Sequence, residues 1–102
     1  HPSGRQRQLD VYAHDAGAVL AGAPPRHGGA TRLDEVTASA VSFGRERAAL
    51  RHRLVRILPA NLLFRVETPN GAVGYPKPPG VPIGEATVST VHGRVTVEVW
   101  NA

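Results

Sequence analysis

The chain has 102 residues, 41% hydrophobic and 20% charged, which fits one globular core and excludes both a wholly disordered chain and a two-domain protein. The absence of cysteine excludes disulfides, thiolate zinc sites and thiol nucleophiles, and no apolar run reaches the ~18 residues of a membrane span. The formal charge of +4 is concentrated, because Arg45 to Arg56 holds five of the twelve basic and one of the eight acidic residues, leaving seven of each elsewhere.

In chain order, residues 1–7 are expected to be disordered or tag-derived, with a single domain over 8–102. Leu9 to His14 and Ala18 to Ala21 are predicted as a hairpin, joined by Asp15-Ala16-Gly17, whose Asp and Gly suit a tight turn. Gly22 to Gly29 has too many breakers for a regular element, and Gly28-Gly29 lacks the strand and helix context of a phosphate-binding loop. Val, Thr and Ser dominate Thr31 to Phe43, and Gly44 interrupts the helical spacing, so this stretch is predicted as a strand.

Leu50, Leu54, Ile57 and Leu58 recur at the spacing of an amphipathic helix, predicted from about Gly44 to Leu58 and stopped by Pro59. Arg45, His52, Arg53 and Arg56 gather opposite that stripe, while Arg47 and Arg51 flank it with their methylene stems along the core edge. Leu62 to Glu67 reads as a strand and Thr68-Pro-Asn-Gly71 as its turn. Pro or Gly then fills nine of the sixteen positions from Pro69 to Gly84, so this segment reads as a long loop. Its Tyr75-Pro76-Lys77-Pro78-Pro79 is expected to stiffen the loop, although the P-x-x-P spacing resembles that read by aromatic grooves. Two β-branched runs in Ala86 to Trp100 flank His92-Gly93 and predict a hairpin in which Val91 opposes Arg94 and Val88 opposes Val97. One face carries Ala86, Val88, Thr90, Val95, Val97 and Val99; the other carries Thr87, Ser89, Val91, Arg94, Thr96 and Glu98. Trp100 is expected as a partial core plug or an exposed anchor.

These elements predict an α+β fold: an antiparallel sheet of five or six strands with one amphipathic helix, about 44–58, packed on one face. The alternative is an all-β sandwich or barrel in which 48–58 is a strand.

Of twelve basic side chains eleven are Arg and one is Lys, and Arg suits bidentate contact with phosphate or carboxylate. The expected function is non-catalytic binding of a polyanion such as nucleic acid through Arg45, His52, Arg53 and Arg56. With two Phe, two Tyr and one Trp, a base-stacking platform is poorly supplied, so backbone contact is favoured. The alternative is a structural or protein-interaction module that self-associates or joins a larger assembly. A third reading, a small phosphodiester-cleaving enzyme, would use His14, His52 and His92 as acid and base. The histidines show no metal-motif spacing, and no catalytic, cofactor-binding or metal-ligating residue is nominated; no cofactor is expected. A soluble protein follows from the composition, with the cytoplasm as the default compartment.

Overall fold

Leu9, Ala13, Ala16 and Leu20 recur at the four- and three-residue steps of one helix face, and in the computed structural model all four are buried along α1 (Gly4–Gly22). The model describes residues 4–102. The hairpin expected over 9–21 is therefore a helix. Asp15-Ala16-Gly17 has the composition of a turn, yet Ala16 and Gly17 face inward, where their size lets the helix approach a strand closely: a Cβ at Gly17 would lie 3.1 Å from Val88. Residues 4–7, expected to be disordered or tag-derived, belong to this helix, and the rest of that expectation, residues 1–3, lies outside the described residues.

The strand expected over 31–43 is also replaced by helix, and capping explains why. Thr31 and Ser39 are both extended (φ −137° and −163°), and their hydroxyls accept from Asp34 N (3.1 Å) and Ser42 N (3.0 Å). Each thereby satisfies an orphan amide of a first helical turn. They open α2 (Arg32–Thr37) and α3 (Ala40–Ile57), and burial of Val36 and Thr37 overrides the weak β preference of the stretch. The helix predicted from Gly44 is thus found but starts at Ala40, with Gly44 exposed.

Strands β1 (Leu62–Thr68), β2 (Gly71–Gly74), β3 (Gly84–Thr90) and β4 (Gly93–Asn101) form one antiparallel sheet in the order β2-β1-β4-β3. Among the described residues the architecture is α+β, with four strands rather than five or six and three helices rather than one. Ala48 to Ile57 is helical, which removes the all-β alternative.

Both hairpins use one device. Thr68 Oγ1 accepts from Asn70 N (3.1 Å) and donates to Gly71 O (2.9 Å); Thr90 Oγ1 accepts from His92 N (3.1 Å) and donates to Gly93 O (2.8 Å). The glycine after each two-residue loop takes a positive φ, 147° and 135°, that a side chain would resist. This Thr-x-x-Gly turn moves the final hairpin's register from the one expected: Thr90 pairs with Gly93, Val88 with Val95 and Ala86 with Val97. The difference is two residues, so every side chain keeps its expected face.

Val66, Val95, Val97, Val99, Phe64 and Val73 pave the helix-facing side of the sheet, where α1 packs on β3 and β4 and α3 packs toward β2. On the opposite side Trp100 and Glu98 are also buried. The sheet order accounts for this: β2 and β3 occupy opposite edges, so residues 75–83 must span the sheet. Lys77 Nζ reaches Glu98 Oε2 at 2.8 Å on the outer face, which places the Pro-rich segment there as a strap. The segment is a loop as expected, apart from the short edge strand β2, and Trp100 is a plug rather than an exposed anchor.

Candidate functional site

The most elaborate polar arrangement among the described residues lies where the loop after α1 meets α2 and α3. Glu46 stands three residues after Phe43 and four before Leu50, on the buried stripe of α3, and its carboxylate is fully enclosed. Glu35, on α2, is 3% exposed. Main-chain N–H groups of Arg26 (2.8 Å), His27 (2.7 Å) and Gly28 (2.9 Å) donate to Glu35. Arg26 Nη1 (3.1 Å), Arg45 Nε (2.7 Å) and His27 Nδ1 (2.8 Å) surround Glu46. Arg45 Nη2 also lies 3.8 Å from Glu35. Two buried carboxylates thus bind Pro/Gly-rich loop backbone and two guanidinium groups into one clasp.

Burial pushes both carboxyls up, but their donors more than reverse it. Glu35 is held below its ordinary 4.5 by the three main-chain N–H bonds and the electrostatic pull of His27; Glu46 is held below it by the Arg45 and His27 hydrogen bonds, against the repulsion of Glu35. Both are carboxylates at neutral pH. His27 Nδ1 and one oxygen from each glutamate lie within 4.8 Å of one another, a donor set of the kind divalent cations use. Here, though, guanidinium and N–H donors already match both negative charges. Glu46 is hydrogen-bonded to the His27 ring and so orients it.

Arg45 is an ion-pair member of the clasp, so its charge is compensated. His52 and Arg56 are exposed; Arg53 is half-buried, with its Nε enclosed and without a hydrogen-bond partner. Arg47 and Arg51 lie one turn apart on the other flank and sit over aromatic rings: Arg47 Cζ is 5.6 Å from the Phe43 centroid, and Arg51 Cζ is 4.9 Å from Tyr75 and 6.0 Å from Phe64. Among the described residues, Arg47, Arg51, Arg53 and Arg56 have no carboxylate partner. The ridge between the two flanks is uncharged apart from Arg45 and any charge on His52, and it exposes Val41 and Val55.

The three histidines expected to share a catalytic cleft do not share one. His14 lines a groove between α1 and β3, and His92 lines a cavity of about 320 Å³ beside the clasp with Ser42 and Arg45. Among the described residues no second histidine lines either, and His52 lies on the exposed face of α3.

The chain belongs to the family of unknown function DUF7262. The family model matches residues 1–101, which include every element described above. No curated protein and no solved structure matches this DUF7262 chain. No helix among the described residues is long and apolar enough to cross a membrane.

The clasp is the part of the molecule that sequence reading misses. Glu46 looks like one more member of a charged run, although its three- and four-residue spacing from Phe43 and Leu50 was a readable sign that it faces inward. Glu35 carried no such sign, because its partners are main-chain amides of a loop.

Proposed function

We propose that the domain is a non-catalytic binding module that docks a polyanion, nucleic acid, on α3. The carrying observation is the set of guanidiniums at Arg47, Arg51, Arg53 and Arg56, which have no carboxylate partner among the described residues. Uncompensated cations clustered on one helix create a field that an anion relieves, and each phosphate they neutralise releases condensed counterion. Arg53 and Arg56 serve one flank, Arg47 and Arg51 the other, with His52 on the ridge between them; Arg45 holds the scaffold. Aromatic stacking on bases has no platform, since Phe43, Phe64 and Trp100 are buried and Tyr12 and Tyr75 are half-buried. Contact is therefore with the backbone and indifferent to sequence.

Fluorescence anisotropy with a labelled duplex tests this. Four phosphate contacts predict a log–log salt slope near −3.6, or roughly a hundredfold loss of affinity between about 50 and about 200 mM salt. Replacing Arg47, Arg51, Arg53 and Arg56 by Gln one at a time should flatten the slope by about one unit each. Absence of binding at low salt, or a slope untouched when all four are replaced in a folded protein, refutes the proposal.

A second reading, a module that self-associates or joins a larger assembly, is favoured by β3, which has a strand neighbour on one side only. Sedimentation across a wide concentration range, alone and with strand-forming peptides, tests it; a strict monomer that captures no peptide counts against it.

A further inference from the structure

We propose that the groove between α1 and the open edge of β3 receives an extended, basic segment of a partner protein, which adds to the sheet as a fifth strand. This deepens the assembly reading and is independent of α3.

The edge is oriented for such a partner. In the β3–β4 ladder Thr90 pairs with Gly93, Val88 with Val95 and Ala86 with Val97, while the Glu85 amide turns away from β4 to donate to Asp10 Oδ1 at 3.2 Å. Because antiparallel ladders alternate, the main-chain groups of Thr87 and Ser89 point outward as Glu85's do. At the start of the strand α1 supplies stand-ins for a neighbouring strand: Asp10 takes the Glu85 amide, and Gln6 Nε2 donates to Ile83 O at 2.8 Å. Beyond Glu85 the stand-ins stop. Thr87 and Ser89 are exposed, and β3 has neither the proline nor the lysine that commonly blunts such an edge.

A groove of about 500 Å³ runs beside this edge, lined by Arg7, Asp10, Val11, His14 and Asp15 of α1 and by Glu85, Ala86 and Thr87. Its charge identifies the occupant. Of the chain's eight acidic residues, Glu35, Glu46, Glu67 and Glu98 are in ion pairs, which leaves Asp10, Asp15, Asp34 and Glu85 without a salt bridge among the described residues, Glu85 feeling Lys77 only at longer range. Three of those four line this groove, against the single guanidinium of Arg7. In a protein of net charge +4 the groove is locally acidic, so it complements Lys or Arg on the α1-facing alternate positions of an incoming strand, where Val11, 52% exposed, offers an apolar contact to their methylene stems.

The test is titration of the ¹⁵N-labelled full chain with an acetylated, amidated peptide of sequence Thr-Lys-Val-Lys-Val-Lys-Thr. The Thr87 and Ser89 amides should shift and gain protection from solvent exchange. A peptide with Glu in place of Lys should bind at least about tenfold more weakly, because like charges would then face each other. Thr87→Pro removes one outward amide and should abolish binding; if that variant misfolds, Asp10→Asn with Asp15→Asn should weaken the Lys peptide while leaving the helix ends intact. Shifts confined to α3, equal affinity for both peptides, or no shift at all would overturn the proposal. Self-association of the peptide-free protein through the same amides would also overturn it, while upholding assembly through this edge and identifying a second copy as the occupant.

Discussion

Glu46 shows how much one residue can organise. Its carboxylate is enclosed, and Arg26, His27 and Arg45 converge on it from a loop and from its own helix. Replacing it by Gln keeps the volume but withdraws the charge, weakening three charge-assisted bonds at once. The guanidiniums are half exposed and can turn to water, so the cost falls short of that for a stranded buried ion: about 2 kcal/mol. For a domain of this size we expect Glu46→Gln to lower the melting temperature by roughly 8–16 °C in differential scanning calorimetry. Glu67→Gln, whose partner Arg65 forms an exposed bridge, should shift it by less than about 4 °C. The spacing of Glu46 in sequence marks its inward face, but nothing in sequence marks His27 or Arg26 as its partners, because a Pro/Gly-rich loop has no periodicity from which to read a direction.

Among the elements, α1 and β3 meet most closely at Gly84. A Cβ there would collide with the main chain of Leu9, which cannot move without lifting the helix from the sheet. We expect Gly84→Ala to cost roughly 3 kcal/mol in urea denaturation, whereas Gly44→Ala, where nothing lies within 4 Å on an exposed helix face, should be neutral or stabilising by up to about 1 kcal/mol. The same contact explains which elements could be read from sequence. β3 and most of β1 and β4 show the two-residue alternation of a strand, the short β2 hides among Pro and Gly, and the Leu50-Leu54-Ile57-Leu58 stripe is unmistakably helical. Residues 9–21 mislead because the small residues that let α1 lie against Gly84 and Val88 are those that elsewhere build turns; the need for close approach, not a turn, placed Ala16 and Gly17. The basic face of α3 was legible as charge, but which guanidiniums are compensated depends on residues distant in sequence.

At the scale of the whole molecule, the clasp makes stability depend on pH. Glu35 and Glu46 both titrate below their ordinary 4.5 in the folded chain. The sign follows: their contribution is complete above that value and is lost as pH falls through their lower, folded values. Chemical denaturation midpoints should therefore form a plateau above about pH 5 and fall in acid. Glu35→Gln combined with Glu46→Gln should start lower and fall less steeply, and a double variant as acid-sensitive as the parent would contradict the assignment. Lys77 is raised above its ordinary 10.5 chiefly by its hydrogen bond to Glu98, so the strap's ion pair is intact below that value and dissolves as pH climbs through the raised one. A last consequence concerns synthesis. The strand that pairs with both β1 and β3 follows them in the chain, so β3 and the β1–β2 hairpin emerge from the ribosome earlier and wait, apolar faces uncovered, for residues 93–101. At about 5–20 residues per second the delay is brief, but a chain broken off before Gly93 would keep α1, α2 and α3 with no way to close its sheet, a substrate for proteases and chaperones.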